Sequence, residues 1–227
     1  MSRTLPAALL AALLLAGCSS GSPGEPAAAE GTASAAPSSS APSSSAPSAS
    51  TSASTSAAPA PGSDAAVLDP ALRDELLAML ERDQAGRTGG ADPEGDAART
   101  RRLAEVLDEH GWPTWDLVGK DGAEAAWAIA QHSDLDPAFQ GRALDLLREA
   151  VAVGQASPGD LAYLSDRVAA GAGEPQTYGT QVACTPDGPQ PATPLTDPAA
   201  VERLRAEAGL DPYADYLAEM AAICAEE

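Results

Sequence analysis

Positive charge is scarce in this chain: 13 Lys and Arg stand against 33 Asp and Glu, a formal net charge of −20 over 227 residues. Lys120 is the single lysine. A surface of this sign repels phosphates and anionic headgroups, which excludes nucleic acid as a partner and rules out membrane attachment through a basic patch. It keeps an exported domain from associating, and it would attract a cationic partner. Histidine is nearly missing as well. His110 and His132 are isolated from each other, so the paired spacing of a zinc hydrolase is absent. Asp92, Glu94 and Asp96 come near a calcium-loop spacing, but the glycine and terminal glutamate of an EF-hand are misplaced, and the run reads as a solvated loop. No serine sits in a nucleophile elbow and no glycine loop cradles phosphates. No metal site and no cofactor is expected.

What is present begins at the N-terminus. Arg3 precedes an apolar run from Leu5 to Leu15, and Leu15-Ala16-Gly17-Cys18 places small residues before a thiol. This is the pattern of a bacterial lipoprotein signal over residues 1–17, and the run is too short for a spanning helix. Cleavage would leave Cys18 as an acylated N-terminus on the outer face of the cytoplasmic membrane; a plain signal peptide with an incidental cysteine is the alternative. Residues 18–64 are almost wholly Ser, Ala, Pro, Thr and Gly, without periodicity, and cannot build a core. As a flexible tether they would span roughly 40 Å. Residues 65–227 are long enough for one ordinary domain. Cys184 and Cys224, in an exported chain, are expected to form a disulfide, with two free buried thiols as the alternative.

Five capping residues stand directly before proline, at Asp69-Pro70, Asp136-Pro137, Ser157-Pro158, Asp197-Pro198 and Asp211-Pro212, and each predicts a helix start. Ser157 with Asp160 resembles a capping box. Gly111, Gly154, Gly171 and Gly209 predict helix ends. Apolar spacing agrees: Leu72, Leu76, Met79 and Leu80 in a first helix, then Leu103, Val106 and Leu107 in a second. A third runs from about Ala123 to His132, and others carry Phe139 to Ala150, Leu161 to Val168, Val201 with Leu204, and Tyr213 to Met220. From Gln176 to Cys184 the residues favour extended chain, followed by a turn at Pro186-Asp187-Gly188-Pro189. The expected fold is mainly α, a single helical domain of six or seven helices with one short β-hairpin.

Several polar residues occupy places where apolar ones are expected. The stripe through Leu72, Leu76 and Met79 continues onto Asp83 and Arg87, four apart and able to pair, with Gln84 alongside. They are either a partly buried pair or a surface cap on the last turn. Gln131-His132-Ser133-Asp134 closes the third helix; His132 is either a base working near neutral pH or a helix-end residue bonded to a carbonyl. Asp166-Arg167 and the run Gln176-Thr177-Tyr178-Gly179-Thr180-Gln181 are rich in hydrogen-bonding side chains, which either face a ligand or organise the hairpin.

These residues carry a resemblance. Asp83-Gln84 with Arg87, Gly111-Trp112-Pro113-Thr114 with Val118-Gly119, Gln131-His132, Phe139-Gln140, Leu164 with Asp166-Arg167, and Gln176 with Tyr178-Gly179-Thr180-Gln181 resemble, in order, the uncharacterised bacterial family known as domain of unknown function 6624. The likeness runs from about Leu72 to Tyr216 and implies a single domain, but no activity. Two functional classes follow from the residues. One is a membrane-tethered binding module, in which Asp83, Gln84, Arg87, Gln131, His132, Gln140, Asp166, Arg167, Gln176, Tyr178 and Gln181 line a polar cleft for a small polar ligand or an envelope protein. The other is a non-metal acid–base enzyme, with His132 as base and Asp134 or Asp166 as the orienting carboxylate.

Overall fold

The computed structural model describes residues 68–225; the expected signal and tether lie outside the described residues. Seven helices and one hairpin follow in the order α1 (Pro70–Arg87), α2 (Gly95–His110), α3 (Trp115–Gln131), α4 (Pro137–Ala152), α5 (Pro158–Gly171), β1 (Val182–Thr185), β2 (Gly188–Pro191), α6 (Val201–Glu207) and α7 (Tyr213–Cys224). None of these helices is long and apolar enough to cross a membrane.

Three of the five Asp-Pro or Ser-Pro starts are helix caps. Asp69 accepts from the Leu72 amide at 2.9 Å, Asp136 from Phe139 at 3.0 Å and Ser157 from Asp160 at 3.1 Å, with proline as the first helical residue each time. The other two differ. Asp197 closes a turn by accepting from the Ala199 amide, and α6 begins only at Val201. At the second, Pro212 is itself the extended cap residue of α7, while the Asp211 carbonyl accepts from Arg205 Nε at 2.7 Å. Gly111, Gly154 and Gly209 adopt positive φ at helix ends, but Gly171 lies inside the last turn of α5 and Gly173 (φ 73°) makes the stop. The third helix starts eight residues before Ala123, at Trp115, because Gly119 (φ 76°) joins a short first turn to the main helix across a kink.

α3 is the central element. From Ala125 to Ala130 every residue is buried, which its small side chains permit by letting neighbours approach on all sides. α1 makes the most extensive contact with it, and α2, α4 and α5 complete the surround. The core joins Leu72, Leu76 and Met79 of α1 to Leu103 and Val106 of α2, Ile129 of α3, Phe139 and Leu147 of α4 and Leu164 of α5. A second, smaller cluster of Val182, Tyr216 and Met220 lies under the hairpin. Tyr163 of α5 links the two, edge-on to Trp127 at 6.0 Å and to Tyr216 at 6.3 Å.

The hairpin pairs Val182 with Pro191 and Thr185 with Gly188, turning at Pro186-Asp187. Gln176 to Gln181 is not part of the ladder, apart from a single bridge between Gln176 and Leu195. Cys184 of β1 is bonded to Cys224 of α7, across 40 residues.

Two stability measurements follow. Reducing this disulfide, or replacing both cysteines by serine, is expected to cost about 4 kcal/mol on the chain-entropy model for a loop of this length, read from urea unfolding with and without reductant. Burial pushes the Asp160 carboxyl up to about 7, against the hydrogen bond from Ser157, with Glu124 adding to the rise. The native chain therefore holds this proton more tightly than the unfolded chain, and stability falls as pH rises from about 4 towards 7. Asp160→Asn is expected to flatten that slope and to exceed the wild type in stability at pH 8.

Candidate functional site

Hydrogen bonds gather the polar residues picked out by the sequence into three groups, and the cavity between α4 and α5 takes in only Gln140, Arg167 and Gln181 of the proposed cleft, together with Asp134.

The first site is an ion network closing α1, α2 and α3. The apolar face of α1 delivers Asp83 into the interior, fully buried. Arg87, one turn on, meets it at 3.0 Å; Gln84 Nε2 donates to it at 2.9 Å; Arg99 of α2 stands 3.6 Å away. Arg99 is itself 2% exposed and is clamped by Asp92 at 2.7 and 2.8 Å and by Asp96 at 2.6 Å, while Arg87 also reaches Asp96 at 2.9 Å. Arg99 is thus raised further above its ordinary range, by Asp92 first and Asp96 as well. The run 92–96 is only partly a solvated loop: Asp92 and Asp96 are half-buried against the Arg99 guanidinium, while Glu94 is exposed and pairs with Arg82 at 3.2 Å. Arg99 has the same signature in the sequence as Asp83: it shares a helix face with Leu103 and Val106, as Asp83 does with Leu76 and Met79.

His132 is the C-cap of α3, and its Nδ1 lies 2.9 Å from Asp83 Oδ2. Arg87 Nε is 3.1 Å from the same nitrogen but already donates to both Asp83 oxygens. The carboxylate therefore takes the Nδ1 proton, and the basic lone pair belongs to Nε2, which has no partner among the described residues. Burial alone would raise the Asp83 carboxyl; hydrogen bonds from His132 and Arg87 outweigh it and hold the group well below the usual carboxylate range.

The second site is a cavity of about 310 Å³ between α4, α5 and the segment before the hairpin, lined by Asp134, Gln140, Arg167 and Gln181 with Pro137, Val168 and the small residues 170–172. Arg167 forks onto both oxygens of Asp134, with Nε at 2.9 Å from Oδ1, and its Nη1 donates to Gln181 Oε1 at 3.1 Å. Gln140, 4% exposed, donates to the carbonyls of Ala130 and Gln131 and to Asp134. The Gln131 side chain is buried with its Oε1 unpartnered.

The third group is a folded loop held by Asp166. This buried carboxylate accepts from the amides of Thr177 (2.7 Å), Tyr178 (3.1 Å) and Thr180 (2.9 Å) and from the Thr180 hydroxyl (3.1 Å). Gln176 spans the inside of the loop, donating to the carbonyls of Gln181 and Thr193 and accepting from the Gln181 amide at 2.8 Å. Gly179 (φ 69°) permits the turn, and a Cβ there would lie 2.8 Å from the Tyr213 ring. Buried Arg205 donates to the Tyr178 carbonyl and lies over Tyr216 at 4.8 Å. Asp166 and Gln176 thus spend their hydrogen bonds on the chain itself. Of the carboxylates considered for His132, Asp166 is engaged in this loop and Asp134 by Arg167; the one within reach is Asp83. His110 lies apart, 3.7 Å from Glu109. Among the described residues no three His, Cys, Asp or Glu converge as metal ligands.

Residues 70–223 match the model of a family described as a family of unknown function, DUF6624. No curated protein and no solved structure matches the chain.

Asp83→Asn removes the charge that holds Arg87 and Arg99 and is expected to destabilise the domain by about 3–5 kcal/mol, as breaking a buried ion pair does. In the wild type the native state binds this proton less readily than the unfolded chain, so its contribution is complete above the ordinary carboxylate pKa of 3.8 and is lost as pH falls below it. Urea midpoints from pH 2.5 to 7 should show that acid loss in the wild type and a shallower one in Asp83→Asn.

Proposed function

We propose that the chain, which belongs to the family of unknown function DUF6624, is a lipid-anchored extracytoplasmic binding module that takes a small polar ligand in the cavity between α4 and α5. The observation that carries this reading is the convergence there of Asp134, Gln140, Arg167 and Gln181 from three separate stretches of chain around a space of about 310 Å³. That volume is at the small end of ligand sites, where an apolar wall with a few placed polar groups is the usual construction. Amide and guanidinium groups orient a ligand by hydrogen bonding and are not nucleophiles. Acylation at Cys18 would hold the domain at the outer face of the cytoplasmic membrane, with the Ser/Ala/Pro tether giving it reach to ligands or to an envelope protein.

The geometry at His132 favours a second reading. A histidine whose Nδ1 is fixed by a buried carboxylate and whose Nε2 is free is arranged as a general base, so an acid–base enzyme built on Asp83 and His132 is the alternative. It differs in location, since His132 is not among the residues lining the cavity.

Thermal unfolding of the full chain against envelope fragments and polar metabolites separates the two, with Arg167→Leu and His132→Ala alongside. A ligand at a hundredfold excess over its Kd should stabilise by about 2.7 kcal/mol, a rise of roughly 5–10 °C. The binding reading expects that rise in the wild type and His132→Ala but not in Arg167→Leu. The reverse pattern would transfer the site to His132. Cys18→Ala is expected to move the protein from the membrane to the soluble fraction in a bacterial host.

A further inference from the structure

Gln140 presents an unmet hydrogen-bonding group to the cavity. Its Nε2 is surrounded by three acceptors, the Ala130 carbonyl at 3.1 Å, the Gln131 carbonyl at 3.3 Å and Asp134 Oδ1 at 3.1 Å. An oxygen in that place would face three other oxygens, so chemistry fixes which way the amide points. Its Oε1 accepts no hydrogen bond from any described residue, although the side chain is nine-tenths buried and lines the cavity. Its donor must come from the contents of the cavity, water or a ligand.

Arg167 and Gln181 have donors to spare. A guanidinium has five N–H groups. Arg167 gives two to Asp134 and one to Gln181 Oε1, which leaves two uncommitted. Gln181 Nε2 donates once, to Thr180 Oγ1 at 3.2 Å, and has a second N–H. Charge narrows the choice further. Arg167 and Asp134 neutralise each other, so an anionic ligand would find its cation already paired and would also face a chain of net charge −20. A cationic ligand would find both Asp134 oxygens occupied. The lining therefore offers an acceptor on α4 and donors on α5 and Gln181, without net charge, over an apolar wall that includes Pro137 and Val168.

We propose that the cavity binds an uncharged secondary amide, as found in a short peptide or an N-acylated amino acid, with the ligand N–H donating to Gln140 Oε1 and its carbonyl accepting from Arg167 or Gln181. A trans amide carries these two groups on opposite edges, so it can engage an acceptor and a donor at once. The volume limits the enclosed portion to one or two residues. This assignment rests on the cavity being the ligand site.

The test is calorimetric titration of the full chain with N-acetylalanine methylamide, with its N-methylated tertiary-amide counterpart, and with alanine, acetate and methylammonium. The secondary amide should bind and the tertiary amide should bind at least tenfold more weakly, because only the former keeps the N–H for Gln140. Gln140→Leu, shown to be folded by its circular dichroism, should lose that discrimination. If one of the charged probes binds in an Arg167-dependent way and the amide does not, the amide assignment is overturned and the cavity stands as a ligand site. If both amides bind equally, the role of Gln140 is overturned. If no probe binds and no member of the wider ligand panel does, the ligand site itself falls with it.

Discussion

A carboxylate sealed from water must be surrounded by donors, and the burial of Asp83 imposes this condition on three helices at once. Arg87 comes from the same helix at one turn's spacing, Arg99 from α2 and His132 from the end of α3. Because Arg99 is buried too, it needs Asp92 and Asp96, which ties down the link between α1 and α2. The packing of α1 against α3 is thus reinforced at one end by charge, where hydrophobic contact alone would leave the sliding of one helix along the other weakly opposed.

Asp166 repeats the device in the second half of the domain. There the donors are backbone amides of a loop rather than side chains, so the carboxylate replaces the ladder partner that residues 177–180 lack. Gln176 supplies the same substitute along the inner edge, and Arg205 and Tyr216 close the outer one at the carbonyls of Tyr178 and Thr180. A loop held in this way is a rigid wall on the side of the cavity where Gln181 stands.

The cavity lies between these two organised regions, and its polar groups differ from theirs in one respect. Asp166 and its partners satisfy one another, whereas Gln140 Oε1 and part of Arg167 do not. Under the proposed binding reading, a ligand would meet this free hydrogen-bonding capacity beside the cavity. His132 Nε2 is the comparable free group at the other site, outside the lining of this cavity.

Much of the fold was legible in the chain because its signals are local. The capping of α1, α4 and α5, the apolar stripes and the turn at Pro186-Asp187 each depend on residues a few positions apart, as does the choice of Asp83 and Arg87 as a pair. The start of α7 departs from the Asp-Pro expectation because Arg205 and Glu202 claim the Asp211 carbonyl and the Tyr213 amide, whereas Asp197 caps only a local turn onto Ala199 and α6 begins later. The inward-facing role of Asp92 and Asp96 was hidden for the same reason: it exists only once Arg99 is buried opposite them. Composition and periodicity determined by themselves that this is an acidic helical domain with one hairpin and a set of misplaced polar residues. Only the tertiary structure decided which of those residues neutralise each other and which keep a free hydrogen-bonding group, because hydrogen-bond satisfaction is a property of neighbours in space and is not encoded in the spacing of any one segment.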